Sequence, residues 1–275
     1  MNIAQLIADQ GLPADYAEVV EAHWVPLAGR IAASGARLVG INGAQGSGKS
    51  TLCKFLEPLL AERGLHAVTL SLDDLYLTKS ERHAMACDEH RLFATRGVPG
   101  THDVLLGEAI LDAVAGRRAV TLPRFDKAAD DRASDSRAVV PPVDVVLFEG
   151  WCIGAVPQPA TAFRRPINTL EADEDPDGTW RREVNRRLAT DYATLFDRID
   201  MLIMLEVGSF DAVLANRRLQ EHKLAAANPA GVALLDDDAL DRFLMHYERL
   251  TRWMLDEMPS RADIVITIGE DQRPC

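Results

Sequence analysis

The stretch Arg37-Leu38-Val39-Gly40-Ile41-Asn42, followed by Gly43-Ala44-Gln45-Gly46-Ser47-Gly48-Lys49-Ser50-Thr51, decides the fold. Its first part is a short apolar run that reads as a buried strand. Gly43 to Ser50 matches G-x-x-x-x-G-K-[ST] in full, and a helical pattern runs from Lys49 to Arg63 with Gly64 as its stop. Glycines let such a turn curl until backbone N–H groups converge on phosphate oxygens. The positive end of the following helix points at the same place. The run Gly43, Ala44, Gln45, Gly46, Ser47, Gly48, Lys49, Ser50 and Thr51 is therefore the expected nucleotide-phosphate site. Lys49 is expected on the β- and γ-phosphates, Ser50 on Mg²⁺ through its hydroxyl, and Thr51 at the α-phosphate.

Outward from this loop, apolar strands alternate with helices. Further strands are expected over His66 to Leu72, Val143 to Glu149, Met201 to Glu206 and Asp263 to Ile268. Helices are expected over Ala14 to Ser34, Asp103 to Ala115 (with Thr101 or His102 near its cap), Trp180 to Phe196, Ser209 to Ala226 and Asp237 to Met258. That alternation implies an α/β fold, a parallel sheet covered on both faces. One domain over residues 1–275 is expected, with a helical N-terminal segment (1–36), an insertion between the second and third strands (79–142) and a lid (209–230). The acidic run Glu171 to Asp177 reads as a solvated loop.

Composition narrows the partners. Hydrophobic residues make up 47% and charged residues 26% of the 275-residue chain, the balance of a globular protein. Thirty Lys and Arg against 42 Asp and Glu leave a formal charge of −12. A net anion is repelled by nucleic-acid backbones and by anionic membrane surfaces, so neither is an expected partner. A phosphate ligand then needs a local positive site. Cys53, Cys87, Cys152 and Cys275 are too scattered for a zinc site or disulfide framework, which suits reduced thiols in a cytoplasm. The first residues, MNIAQLIADQ, lack a basic stretch and meet Asp9 early, so no secretory leader is expected.

A phosphate loop leaves the use of the nucleotide open. The chain has neither the N-K-x-D guanine reader nor the L-S-G-G-Q motif of transport ATPases, which favours ATP and a kinase. In a parallel sheet, ligands lie beyond the carboxyl ends of the strands. Asp73 and Asp74, in Ser71-Leu72-Asp73-Asp74-Leu75-Tyr76, fall there, and one of them is suited to accept a hydroxyl proton; helix capping is the plainer alternative. Glu149, in Phe148-Glu149-Gly150-Trp151, ends the next strand and is suited to order Mg²⁺ or its water, unless it only faces solvent. Arg96 to Asp103 and Arg124 to Lys127 with Asp130, Asp131 and Arg132 are two charged clusters fit to grip an anionic acceptor, or merely solvated. Arg217, Arg218, His222 and Lys223 lie on the lid helix, where Arg218 and His222 share a face. Trp253, Tyr247 and Phe243 read as core.

Taken together, GAQGSGKST, SLDDLYLT, RGVPGTHD, LPRFDK…DDR, VVLFEGWCIG and RRLQEHKL resemble the D-glycerate 3-kinase family of P-loop kinases, within the phosphoribulokinase, uridine kinase and pantothenate kinase superfamily. The resemblance covers Arg37 to Met258. It implies a P-loop fold with a five-stranded parallel core, and transfer of the ATP γ-phosphate to a primary hydroxyl of a small acid. It implies Asp73 as the catalytic acid–base group, Glu149 as the acid after the third strand and Arg218 as the lid arginine. Departures are Arg217 where Trp is frequent, Phe125 where Tyr is frequent, and Met245-His246-Tyr247-Glu248, which lacks the usual proline.

The expectation is an ATP- and Mg²⁺-dependent kinase of D-glycerate acting at the 3-hydroxyl. Lys49, Asp73, Glu149 and Arg218 are the catalytic set, and Ser50 and Glu149 the metal set. Asp74, Tyr76, Arg96, His102, Arg124 and Lys127 form the acceptor set. Another acceptor (pantothenate, a nucleoside or a sugar phosphate) and a regulatory ATP-binding protein are the alternatives.

Overall fold

The computed structural model describes residues 3–227 and 237–275, with backbone alone from 220 to 227. The strands in chain order are β1 (Leu38–Gly43), β2 (Ala67–Ser71), β3 (Val120–Leu122), β4 (Phe125–Asp126), β5 (Asp131–Arg132), β6 (Arg137–Val139), β7 (Val145–Gly150), β8 (Met201–Val207) and β9 (Ile264–Ile268). Five of them form one parallel sheet in the order β2-β7-β1-β8-β9. Every residue of β1 and β7 is buried, as expected of central strands covered on both faces. Gly40 in β1 leaves room for Ile199, whose Cδ1 would lie 2.8 Å from a Cβ at that position.

Helices cover the sheet through apolar stripes. Lys49–Ala61 buries Leu52, Cys53, Phe55, Leu56, Leu59 and Leu60, the spacing of one helical face. The N-terminal helix is continuous from Tyr16 to Ser34, with a π-helical turn over Val20–Trp24. It packs Val20, Trp24, Leu27 and Ile31 into the core on the same side. On the opposite face, Val104–Ala115 packs with Leu188, Tyr192 and Leu195.

Between β2 and β7, the chain adds helices Lys79–Asp88 and Val104–Ala115 and the antiparallel pairs β3–β6 and β4–β5. A capping box of Thr78 and Glu81 starts the first of these helices. Asp103 caps the second by accepting the Leu106 amide, so Asp103, not Thr101 or His102, is the capping residue. The helical stretch before β8 breaks at Thr190 into Thr179–Ala189 and Asp191–Phe196.

The acidic run is not a solvated loop. Thr169–Glu174 is a helix, and Glu171 and Asp175 are each 1% exposed. Arg249 donates to both oxygens of Glu171, at 2.6 and 2.5 Å. Asp175 accepts the Trp180 amide at 2.8 Å and Arg181 Nη1 at 2.9 Å. Local composition suggested solvent, whereas Arg249, 78 residues from Glu171, and Arg181, six residues from Asp175, compensate the buried carboxylates. All four cysteines are free thiols, with Cys53 and Cys152 buried. Among the described residues, no helix is long and apolar enough to cross a membrane.

Candidate active site

The order β2-β7-β1 explains how three separate segments meet. Their carboxyl ends carry, respectively, Asp73, Glu149 and the glycine-rich loop. In register, Glu149 pairs with both Ile41 of β1 and Ser71 of β2.

The loop turns through Gly46 and Gly48, at φ 80° and 89°, a region that side chains with a Cβ rarely enter. The Ser47 amide closes the turn on Ala44 O at 3.1 Å. The first helical hydrogen bond runs from Leu52 to Gly48 O, so the amides from Gly48 to Thr51 precede the helical ladder. Lys49 Nζ donates back to Ala44 O at 3.2 Å. Burial lowers the pKa of Lys49, against the opposing charges of Glu149 and Asp73. Ser50 Oγ donates to Glu149 Oε1 at 2.8 Å. Gln45 Oε1 and Ser47 Oγ are buried without a protein partner. Helix Phe210–Ala227 lies against this loop, since a Cβ on Gly46 would sit 3.0 Å from Asn216 Cβ.

Asp73 stands in a 3-10 turn, Leu72–Leu75, directly after β2. Tyr76 Oη donates to its Oδ1 at 3.0 Å, and Lys127 Nζ donates to its Oδ2 at 2.6 Å. Burial pushes the Asp73 carboxyl up, but the charge and hydrogen bond of Lys127, with Lys49 and His102, outweigh it and hold its pKa at about 2. Asp74 points elsewhere: its Oδ1 accepts the Phe125 amide at 3.0 Å and anchors β4. Burial raises the Asp74 carboxyl, opposed by that amide.

The segment Arg96 to Asp103 folds onto this turn through a bridge between Tyr76 and His102. Leu77 N–H donates to Thr101 O at 2.9 Å, and Asp103 N–H to Leu75 O at 2.7 Å. The His102 ring stacks on Tyr76 with centroids 4.5 Å apart. Its Nδ1 lies 2.6 Å from Tyr192 Oη, and its Nε2 has no protein partner. Burial lowers the His102 pKa to about 3. Trp151 Nε1 donates to Gly97 O at 2.8 Å, and Tyr247 Oη donates to Arg96 O at 3.0 Å. The tryptophan that follows the β7 acid thereby holds the Arg96 to Asp103 segment beside the end of β7.

No model of a protein family matches the chain. It is 35% identical over 222 residues to the uncharacterized kinase mug58 of Schizosaccharomyces pombe, covering 76% of this chain and 78% of that one. The chain belongs to the D-glycerate 3-kinase-like P-loop kinases. It is 28% identical over 255 residues to the chloroplastic D-glycerate 3-kinase of Arabidopsis thaliana, covering 86% of this chain and 53% of that longer protein. The structure superposes on D-glycerate 3-kinase from Cryptococcus neoformans with a TM-score of 0.71 and 25% identity, over 86% of this chain and 87% of the other. The α/β fold with a five-stranded parallel core is thus the fold expected from the sequence.

The expected site residues of this kinase divide into two groups. Lys49, Ser50, Glu149, Asp73, Tyr76, His102 and Lys127 converge at the strand ends through the contacts above. Arg96 packs over the Phe125 ring, 5.5 Å from its centroid, and pairs with Asp130. Arg124 is exposed and pairs with the exposed Asp135. Arg218 is bound to Asp241 at 2.6 Å, on the next helix. The side chains of His222 and Lys223, and lid residues 228–230, lie outside the described residues.

Some supporting residues escaped sequence reasoning. Asn42 is 1% exposed and donates through Nδ2 to Trp151 O at 3.1 Å and Ile153 O at 2.8 Å. Tyr192 reaches His102 from a helix 90 residues further along the chain. A buried polar residue inside an apolar strand was the available signal for Asn42; Tyr192 carried none.

Proposed function

We propose that this kinase transfers the γ-phosphate of ATP to the 3-hydroxyl of D-glycerate. The observation that carries the reading is the placement of Asp73 between the phosphate-loop lysine and the basic acceptor cluster. The loop amides from Gly48 to Thr51 and the Lys49 ammonium present positive charge to the β- and γ-phosphates. Asp73 orients the attacking hydroxyl and takes its proton. Its low basicity suits a loose transition state, in which the proton leaves late. Lys127 and Arg96 supply positive charge for the carboxylate of the acceptor, and His102 a polar edge. Arg218, on the helix that covers Gly46, serves as the lid arginine. Likeness to D-glycerate 3-kinases in sequence and in structure supports this choice of acceptor.

The Ser50 hydroxyl and the Glu149 carboxylate, 2.8 Å apart, form a hard oxygen pair that fits Mg²⁺, an ion that commonly takes few protein ligands and keeps several waters. When bound, Mg²⁺ offsets charge on the phosphate oxygens. Ser50 and Glu149 are the residues that hold it.

A panel of D-glycerate, L-glycerate, glycerol, pantothenate, nucleosides and sugar phosphates, assayed for ADP release, tests the reading. D-glycerate is expected to give the highest kcat/KM, with 3-phosphoglycerate as product. Preference for an uncharged alcohol or a nucleoside would overturn it.

A further inference from the structure

Both oxygens of Asp73 are engaged, but by partners of unequal mobility. Tyr76, on Oδ1, is 3% exposed and wedged between the His102 and Phe125 rings. Lys127, on Oδ2, has a side chain 63% exposed. Its backbone is tethered on both sides. Asp74 holds the Phe125 amide, and Asp126 Oδ1 accepts the amides of Ala128 and Ala129 at 2.8 and 3.2 Å. A flexible four-carbon stem therefore swings from a fixed point.

The neighbouring cations are committed elsewhere. Arg82 is fully buried and pairs with Asp130, which also holds Arg96. Arg124 pairs with Asp135. Among these basic side chains, Lys127 is the one in contact with Asp73, the residue placed to receive the hydroxyl proton.

We propose that Lys127 masks Asp73 and that the carboxylate of the acceptor removes the mask by drawing Lys127 onto itself. The exchange rests on the ATP-to-glycerate reading and adds to it a reason for preferring acids. With Lys127 displaced, Asp73 Oδ2 is free to accept the hydroxyl hydrogen, and its negative charge is no longer neutralised at contact distance. The hydroxyl oxygen bonds to the γ-phosphorus, the bond from that phosphorus to the β–γ bridging oxygen breaks with its electron pair leaving on ADP, and the hydroxyl proton passes to Asp73 Oδ2. An uncharged alcohol enters with Lys127 still in place and meets a neutralised base. Also facing Asp73 are Lys49 from the phosphate loop, Tyr76 and His102, with Asp74, Cys152 and Tyr247 within electrostatic reach. Tyr76 and His102 are buried neutral side chains, and Lys49 is tied to Ala44 O, so Lys127 is the partner that exchanges.

The test compares D-glycerate with glycerol in the wild type and in Lys127→Met. In the variant, kcat/KM for D-glycerate is expected to fall at least about tenfold, the loss of one charge-assisted contact, while kcat for glycerol rises several-fold. A lysine that only binds the carboxylate predicts the fall without the rise, so unchanged glycerol turnover overturns the exchange. A second readout is the ¹³C carboxyl signal of Asp73. D-glycerate is expected to move it in the same direction as Lys127→Met does, while glycerol leaves it in place. Failure of D-glycerate to move the signal, with or without a bound non-hydrolysable ATP analogue, overturns the exchange. If the wild type phosphorylates neither compound, the glycerate reading falls and the carboxyl signal still decides the exchange. If it phosphorylates glycerol in preference, both fall.

Discussion

Tyr192 Oη lies 2.6 Å from His102 Nδ1 and accepts the Gly100 amide at 2.9 Å. The phenol has one hydrogen, and with Gly100 donating to its oxygen, the expected arrangement sends that hydrogen to Nδ1. The His102 ring is then neutral with its proton on Nε2. One buried tyrosine thus ties the Gly97–Gly100 turn and the histidine beside Asp73 into a single unit. Tyr192→Phe frees both groups. The KM of the acceptor is expected to rise about tenfold, the scale of one or two lost hydrogen bonds, with the KM of ATP unchanged. In ¹⁵N spectra, wild-type His102 is expected to show a protonated Nε2 and a bare Nδ1. A protonated Nδ1 would refute the assignment.

The phosphate-loop lysine gives the simplest test of the nucleotide site. Lys49→Ala removes a half-buried ammonium that Glu149 and Asp73 stabilise electrostatically. Turnover is expected to fall by at least about two orders of magnitude, as for loss of one transition-state electrostatic contact. Circular dichroism should be unchanged. Near-normal turnover would place the chemistry elsewhere.

The two adjacent aspartates should separate cleanly. Asp73→Asn keeps the shape but cannot take a proton, so kcat is expected to drop roughly 10²- to 10⁴-fold. Asp74→Asn still offers Oδ1 to the Phe125 amide and should cost little. Asp74→Ala strands that amide, at a cost of about 1–3 kcal/mol where it is buried, and should loosen β4 together with Lys127. Steady-state kinetics and urea denaturation of the three variants decide this. A larger kcat loss in Asp74→Asn than in Asp73→Asn would exchange the roles.

Gly97 has φ 135°, and a Cβ there would lie 2.0 Å from Tyr247 Oη. Gly97→Ala must displace either the turn or the tyrosine that holds Arg96 O. Overpacking alone costs roughly 1–3 kcal/mol, and the backbone conformation adds strain. The expected outcome is a lower Tm and a raised acceptor KM, with nucleotide binding retained. An unchanged Tm would show that the turn yields freely.

Acid sensitivity follows from two buried histidines. Burial lowers the pKa of His102 to about 3 and that of His246 to about 4, from an ordinary value of 6.5. Below pH 6.5 the unfolded chain takes up protons that the folded chain refuses, so stability falls as the pH falls. The slope is up to ~1.4 kcal/mol per pH unit for each histidine, down to its folded pKa. Above pH 6.5 neither contributes. Urea denaturation at several pH values between 7 and 4.5 should show a shallower slope in the double variant His102→Gln, His246→Gln. A slope equal to that of the wild type would contradict the linkage.

By itself, the sequence determined the phosphate loop, the α/β class and most element positions. Those features depend on local physics. A glycine-rich turn between strand and helix has one common use, and apolar runs alternating with amphipathic stretches restrict the layers that can form. The strand expected over Arg37 to Asn42 and the helix expected over Lys49 to Arg63 are present as Leu38–Gly43 and Lys49–Ala61. The strand order β2-β7-β1-β8-β9 was not legible from the alternation, which constrains composition but not neighbours. Tertiary structure alone decided the partners of the site charges and of Glu171. Glu171 reads as solvated until Arg249, 78 residues away, neutralises it in the interior. Asp73 and Asp74 are chemically identical in sequence. Lys127, 54 residues from Asp73, and the Phe125 amide, 51 residues from Asp74, give them different environments. Charge pairing acts through space over a few ångströms, so it is fixed only when the chain has folded back on itself.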